Sequence, residues 1–437
     1  MRNRILAAAV LLPVCALGQQ PSPPNAPLGA TLTVDLANAL MRARAYSPQF
    51  LAAGLAAETA HQDRVQAKAA FFPSVNALSG YIYTQGNGTP SGVFIANNGV
   101  HEYAEEGNIH AELYSPVRRA EYHRAIAAEA AAQARQDIAR RGLAITVIQS
   151  YYAIVAANRR AANARQALQE AGQFETITQQ QENGGEAAHA DVVKAQLQQR
   201  QRQTELQEAQ ANIDKAKIGL AVLIFQNLEQ PFNVVDDLNA DAPLAPAPQI
   251  AQQALANNPD LRAAQAAVQQ TGFGLQAARG AYYPSVVADY FFGLDSNVVG
   301  WQDPNGNRNY GSSLSASLSV PIWNWGITRS RVRQAQLLQQ QAQNDLTFAQ
   351  RTIQANVDEF YIEAQTARAQ LDNLRESMNL AADSLRLTLL RYQAGEATAL
   401  EVVDAQTSDL TARNAYGDGL ARYRLALANI ETLTGRY

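Results

Sequence analysis

The amino-acid sequence predicts an α+β membrane protein in which one unit of helix, strand pair and long helical hairpin is written twice. Three observations predict it. Ala70-Phe71-Phe72-Pro73-Ser74-Val75 recurs as Ala281-Tyr282-Tyr283-Pro284-Ser285-Val286, 211 residues later, and Ser47-Pro48-Gln49 keeps that offset to Asn258-Pro259-Asp260. Leu314, Ala316, Leu318 and Val320 alternate strictly with Ser313, Ser315, Ser317 and Ser319, the period-two pattern of a strand with one greasy and one wet face. Residues 327–394 contain neither glycine nor proline, and at 1.5 Å per residue such a run makes a helix of about 100 Å.

At the start of the chain, residues 1–18 read as a signal peptide, with Arg2 and Arg4, an apolar run over 5–12 and Ala16-Leu17-Gly18 as a cleavage site. The apolar run is too short to span a bilayer. The one cysteine, Cys15, lies inside this segment. Pro13-Val14 precede that cysteine where lipidation needs small residues, so no lipid anchor is expected. Residues 19–30 are a proline-rich tether.

The first repeat covers 31–225. A helix is expected from about Thr33, with Asp35 in its first turn, to about Phe71. Pro73 cannot continue it. A strand pair comes next, within 74–114. Val75, Ala77, Tyr81 and Tyr83 share one face of the first strand; Ile109, Ala111 and Leu113 oppose Asn108, His110 and Glu112 in the second. The Gly- and Asn-rich stretch 84–107 reads as the loop between them. A proline-free run from 117 then makes a long helical hairpin whose tip lies near 183–186.

Residues 226–248 link the copies, and the second repeat covers 249–437. Its opening helix is expected over 250–283 and its strand pair within 285–320. Val286, Ala288, Tyr290, Phe292 and Leu294 oppose Asp289 and Asp295. The next long helix carries a seam at Ile353, Val357, Phe360, Ala364, Ala367, Leu371, Leu374, Met378, Ala381 and Leu385. The hairpin turns near 394–397, and a last helix returns over about 398–433.

Removing Arg2 and Arg4 takes the net charge from −4 to −6, which argues against nucleic acid as a partner. The histidines, at 61, 101, 110, 123 and 189, show no metal-ligand spacing and read as solvated residues. No nucleophile elbow or phosphate-cradling glycine loop occurs, so no enzyme activity and no cofactor are expected. The strands are long enough to cross a bilayer when tilted. Four per chain cannot close a barrel, and open edges are prohibitive in lipid, so three chains would supply twelve strands. The serine ladder alone fits a soluble sandwich strand equally well. The competing functional reading is an exported structural or adhesive coiled-coil protein, for which a greasy-out, serine-in strand has no use.

In this order and twice over, several motifs resemble the TolC-like outer-membrane efflux proteins. They are Asn258-Pro259-Asp260-Leu261 with Tyr283-Pro284-Ser285, Val320-Pro321-Ile322-Trp323-Asn324-Trp325-Gly326, Arg391-Tyr392-Gln393-Ala394-Gly395, and Leu400-Glu401-Val402-Val403-Asp404-Ala405-Gln406. The resemblance implies a homotrimer with a twelve-stranded barrel in outer-membrane lipid and an α-helical tunnel through the periplasm. It also implies a periplasmic adaptor and an inner-membrane transporter as partners, in efflux or type I secretion. Gly184, Gly185, Gly395 and Glu396 would make the tip turns that dock the adaptor. Glu401 and Asp404, one helical turn apart, would form carboxylate rings at the periplasmic gate, with Asp191 and Tyr392. The first copy departs from the pattern, with Arg118 and Arg119 after Pro116-Val117 and Lys194 in place of the second tip carboxylate. Ala397 stands where an arginine is common.

Overall fold

The computed structural model describes residues 32–88, 100–239, 242–303 and 305–436. The signal peptide, Cys15 and the tether lie outside them. The elements run β1 (Leu32–Val34), α1 (Leu36–Tyr46), α2 (Pro48–Ala69), β2 (Ser74–Tyr83), β3 (His101–Tyr114), α3 (Pro116–Asn183) and α4 (His189–Ile224). Then come β4 (Phe232–Val234), α5 (Ala247–Asn257), α6 (Pro259–Gly280), β5 (Ser285–Ser296), β6 (Tyr310–Ser319), α7 (Ile327–Gln393) and α8 (Ala399–Leu433). Matching helices have nearly equal lengths: 22 and 22 residues for α2 and α6, 68 and 67 for α3 and α7, 36 and 35 for α4 and α8. Among the described residues no helix is long and apolar enough to cross a membrane.

The opening helix of each copy is two helices. Pro48 and Pro259 force the residue before them out of α geometry. Ser47 (ψ 117°) and Asn258 (ψ 124°) therefore break the chain and cap α2 and α6. Asp35 is the N-cap of α1, accepting from the Asn38 N–H at 2.7 Å, and Thr33 belongs to a strand rather than to the helix. No pattern in the sequence marks that strand. β1 pairs in parallel with β4, Leu32 opposite Phe232, so the linker carries structure of its own. The second strand of the first copy is also longer than expected, since β3 takes in residues 101–107 of the stretch that reads as loop.

The main sheet has the order β2-β3-β5-β6, every neighbour antiparallel, and the β3–β5 ladder joins the two copies. Each strand is linked to a helix, by Ser115 alone between β3 and α3 and by residues 320–326 between β6 and α7, and the helices keep the same order: α3 packs on α2 and α6, and α6 on α7. α4 folds back along α3, and α8 along α7. The α7 seam is inward as read, with Ile353, Val357, Ala364, Ala367 and Leu385 buried. A separate core forms midway along the helices. There Tyr151 of α3 is buried and donates to the Val235 carbonyl at 2.7 Å, tying β1 and β4 to the bundle.

Gly293 sits where β5 approaches β3 too closely for any side chain. A Cβ there would overlap the Glu105 carbonyl oxygen, whereas one at Gly311 would meet nothing within 4 Å. Gly293→Ala should therefore reduce the yield of folded protein in the membrane fraction, and Gly311→Ala should not. Heat-modifiable gel mobility of the extracted protein measures the difference.

Candidate functional site

The sheet separates two environments. Val75, Ile109, Tyr290 and Leu314 stand side by side across all four strands, and the adjacent row on the other face is Ser74, His110, Asp289 and Ser315. Val75 is 73 % exposed and Leu314 is 77 % exposed. Such a wall suits lipid on one side and water on the other. On the wet face, His110 Nδ1 lies 2.7 Å from Asp289, and Asn76 and Asn108 pair across the strands. Where the sheet meets the helices, Phe72, Tyr282, Tyr283, Trp323 and Trp325 are all exposed. Aromatic side chains at such a border match the polar–apolar interface of a bilayer.

The far ends of the hairpins are built alike. Gly185 (φ 78°) and Gly395 (φ 77°) adopt the left-handed conformation that closes a helix end. The Glu186 N–H reaches the Gln181 carbonyl at 2.8 Å, and the Glu396 N–H reaches the Arg391 carbonyl at 2.8 Å. Gly184 is the C-cap of α3 and keeps right-handed geometry.

Tyr392 is buried between the two tips. Its ring meets Phe174 edge-on at 5.2 Å, its hydroxyl donates to Thr178 at 3.2 Å, and its carbonyl accepts from Gln181 at 3.2 Å. Burial raises the phenol pKa, and the charge of Asp191, in the first turn of α4, raises it further. Tyr392 is thus a clamp between α3 and α7.

Glu401 is committed locally. It completes a capping box, accepting from the Thr398 N–H and hydroxyl at 3.1 Å each while Thr398 accepts the Glu401 N–H. Its other oxygen lies 3.5 Å from Arg391, whose guanidinium also donates to the Glu396 carbonyl at 3.0 Å. The Thr398 bonds, with the Arg391 charge, hold the Glu401 carboxyl below its usual range. Asp404, one turn on, is exposed and has no hydrogen-bond or ion-pair partner among the described residues.

The structure therefore brings Glu401 to Arg391, sets Asp191 where its charge is felt by Tyr392 without a bond between them, and leaves Asp404 without a partner among the described residues. Sequence reasoning does not single out the roles of Arg391, Phe174 and Thr178. Arg391 precedes the tip glycine, well before position 397 where the resemblance leads one to seek an arginine, and contact partners in another helix leave no local pattern. The histidines are not simply solvated: His61 pairs with Glu129 at 2.8 Å, and His189 pairs with Glu182 at 2.7 Å.

A two-faced sheet running into long helical hairpins defines an outer-membrane channel of the kind that joins a β-barrel to a helical tunnel. The family model described as "Outer membrane efflux protein" matches residues 39–224 and 250–436, and the chain belongs to that family. The cobalt-zinc-cadmium resistance protein CzcC of Cupriavidus metallidurans is 25 % identical over 73 % of this chain and 73 % of its own. Outer membrane protein OprJ of Pseudomonas aeruginosa is 25 % identical over 70 % of this chain and 63 % of its own. The solved structure of VceC from Vibrio cholerae superposes with a TM-score of 0.79 at 17 % identity, covering 92 % of this chain and 96 % of that one.

The tip geometry makes a stability prediction. Gly395→Ala should cost about 1–2 kcal/mol, because a Cβ is strained at this φ, and Thr398→Ala about 1 kcal/mol through the lost cap. Glu401 is more acidic folded than unfolded, so its contribution is present above the ordinary carboxylate range and fades as pH falls through it. Thermal unfolding of the extracted protein, followed at neutral pH and near pH 4, should show a smaller acid loss for Thr398→Ala than for the unaltered chain.

Proposed function

We propose that the chain is one subunit of a homotrimeric exit duct. An inner-membrane transporter and a periplasmic adaptor would feed it, in efflux or type I secretion, and it would conduct cargo passively. The observation that carries this reading is the sheet's two open edges. Among the described residues β2 and β6 each have one side without a ladder, and they run in opposite directions. An identical copy can therefore set its β2 against β6 and continue the antiparallel alternation until the ring closes. The helical wall has matching open ends, with Leu51, Leu55 and Val65 exposed on α2 and Leu337, Leu338 and Phe348 on α7. Three copies of four strands make a twelve-stranded barrel, within the range that transmembrane barrels adopt.

The gate is assigned to the hairpin tips, which the adaptor meets at the turns Gly184-Gly185 and Gly395-Glu396. Asp404 supplies the ring of carboxylates facing the passage. Glu401 and Asp191 add negative potential, the Tyr392 clamp holds the two hairpins together, and the Arg391–Glu401 contact stiffens the second tip. Crowded carboxylates attract cations, so the closed pore selects cations and is blocked by divalent ones from the periplasmic side.

Two measurements test this. Native mass spectrometry of detergent-extracted protein should give a trimer, and a monodisperse monomer stable without detergent would sink the reading. Asp404→Ala should weaken cation selectivity and divalent block in planar bilayers without changing assembly. It is a cleaner probe than Glu401→Ala, which also removes a helix cap. Unchanged selectivity would take Asp404 out of the gate.

A further inference from the structure

The junction between sheet and helices holds a cavity of about 580 Å3, bounded by the first turns of α3, the end of α6 and Phe71. Its charge is unbalanced. Arg118, Arg119, His123 and Arg279 line it, and Glu112 is the one carboxylate among the described lining residues. Arg118 already pairs with Glu112 and donates to the Ala70 carbonyl. His123 stacks on Phe273 with centroids 5.2 Å apart. Arg119 and Arg279 have neither ion-pair nor side-chain hydrogen-bond partners among the described residues.

Arg119 is also badly placed for its helix, since a cation in the first turn opposes the helix dipole. In the second copy α7 carries Arg329 where α3 has Arg118, 211 residues earlier, but Ser330 where α3 has Arg119, so the fold does not require an arginine at that second place. Two guanidinium forks facing one cavity suit a phosphate group, which accepts paired N–H bonds. The cavity's rim says what carries that phosphate. Tyr114 lies opposite Val286 in the apolar face of the sheet, and Leu113 beside it is 66 % exposed. The cavity thus opens where the greasy face ends, at the level of headgroups.

We propose that Arg119 and Arg279 bind the phosphate of a phospholipid in the leaflet at the helical end of the sheet, its acyl chains lying along the apolar face. The inference rests on that face being in lipid. Native mass spectrometry of the assembly, extracted in mild detergent, should show retained phospholipid. Arg119→Gln/Arg279→Gln should lower retention about tenfold, the equivalent of one good charged hydrogen bond, and Arg119→Lys/Arg279→Lys should fall between, charge being kept and the fork lost. Equal retention by the Gln variant overturns the proposal. Titration of delipidated protein with dioctanoyl phosphatidylglycerol and with inorganic phosphate separates the sources. Saturation by the lipid alone supports the assignment; equal binding of inorganic phosphate overturns the lipid as source. A Gln variant that still fractionates with the outer membrane but carries no lipid keeps this test separate from the membrane reading, whose failure would leave both proteins out of that fraction.

Discussion

An unpaired backbone group in hydrocarbon costs several kcal/mol, and this constraint organises the molecule. The chain forms a sheet of four strands whose outer members have open ladders. Among the described residues no further strand pairs with either edge, and in the proposed trimer the sheet of a second copy, of matching direction, does so. Because β2, β3, β5 and β6 each join a helix through a link of seven residues or fewer, closing the sheet also places the helices. The wall of strands and the wall of helices are one surface with one order, and curvature set in lipid is carried into the aqueous half.

The helical half holds a bulky core around Tyr151, Ile148 and Ile154, and away from it small residues prevail. On α3 these flanking positions are Ala120, Ala127, Ala131, Ala134, Ala161, Ala164, Ala167 and Ala171, all buried. Alanine lets helix axes come close but specifies register weakly. Buried polar groups supply the register. Arg202 is buried, pairs with Glu205 at 2.7 Å and donates to Thr407 of α8 at 2.9 Å. Asp409, also buried, holds Arg413 at 2.6 Å, and burial raises the pKa of the neighbouring Glu170. These ion pairs lie within single helices and would survive a slip by one turn, but the Arg202–Thr407 and Arg413–Gln166 bonds, which cross between helices, would break.

The two hairpin tips share a backbone and differ in chemistry. Both end in a left-handed glycine, yet α8 begins with a side-chain capping box and α4 begins at Ala188 with no side-chain cap. The second tip is therefore the more rigid start of a helix, and it holds the Arg391–Glu401 contact and the Tyr392 clamp. Opening the tips would break contacts between α3 and α7 while leaving each Schellman turn intact.

The sequence by itself determined whatever depends on a local period or a backbone restriction. The 211-residue repeat, the faces of β5 and β6, the α7 seam and the turns at Gly185 and Gly395 are all legible in it. Side chains alternate every two residues in a strand and recur every three or four in a helix, and these features need nothing more. The breaks at Ser47 and Asn258 obey the same proline rule, but alanine-rich periodicity on both sides hides them. Tertiary structure alone decided the rest. β1 finds β4 across 200 residues, with Leu32 opposite Phe232, and three-residue strands carry no periodic signal. Tyr392 became a clamp because Phe174 and Thr178 lie on another helix. Glu401 was diverted to Thr398 and Arg391, leaving Asp404 unengaged. Spacing along the chain places a residue on a face of its own element, but what that face meets depends on how distant elements pack.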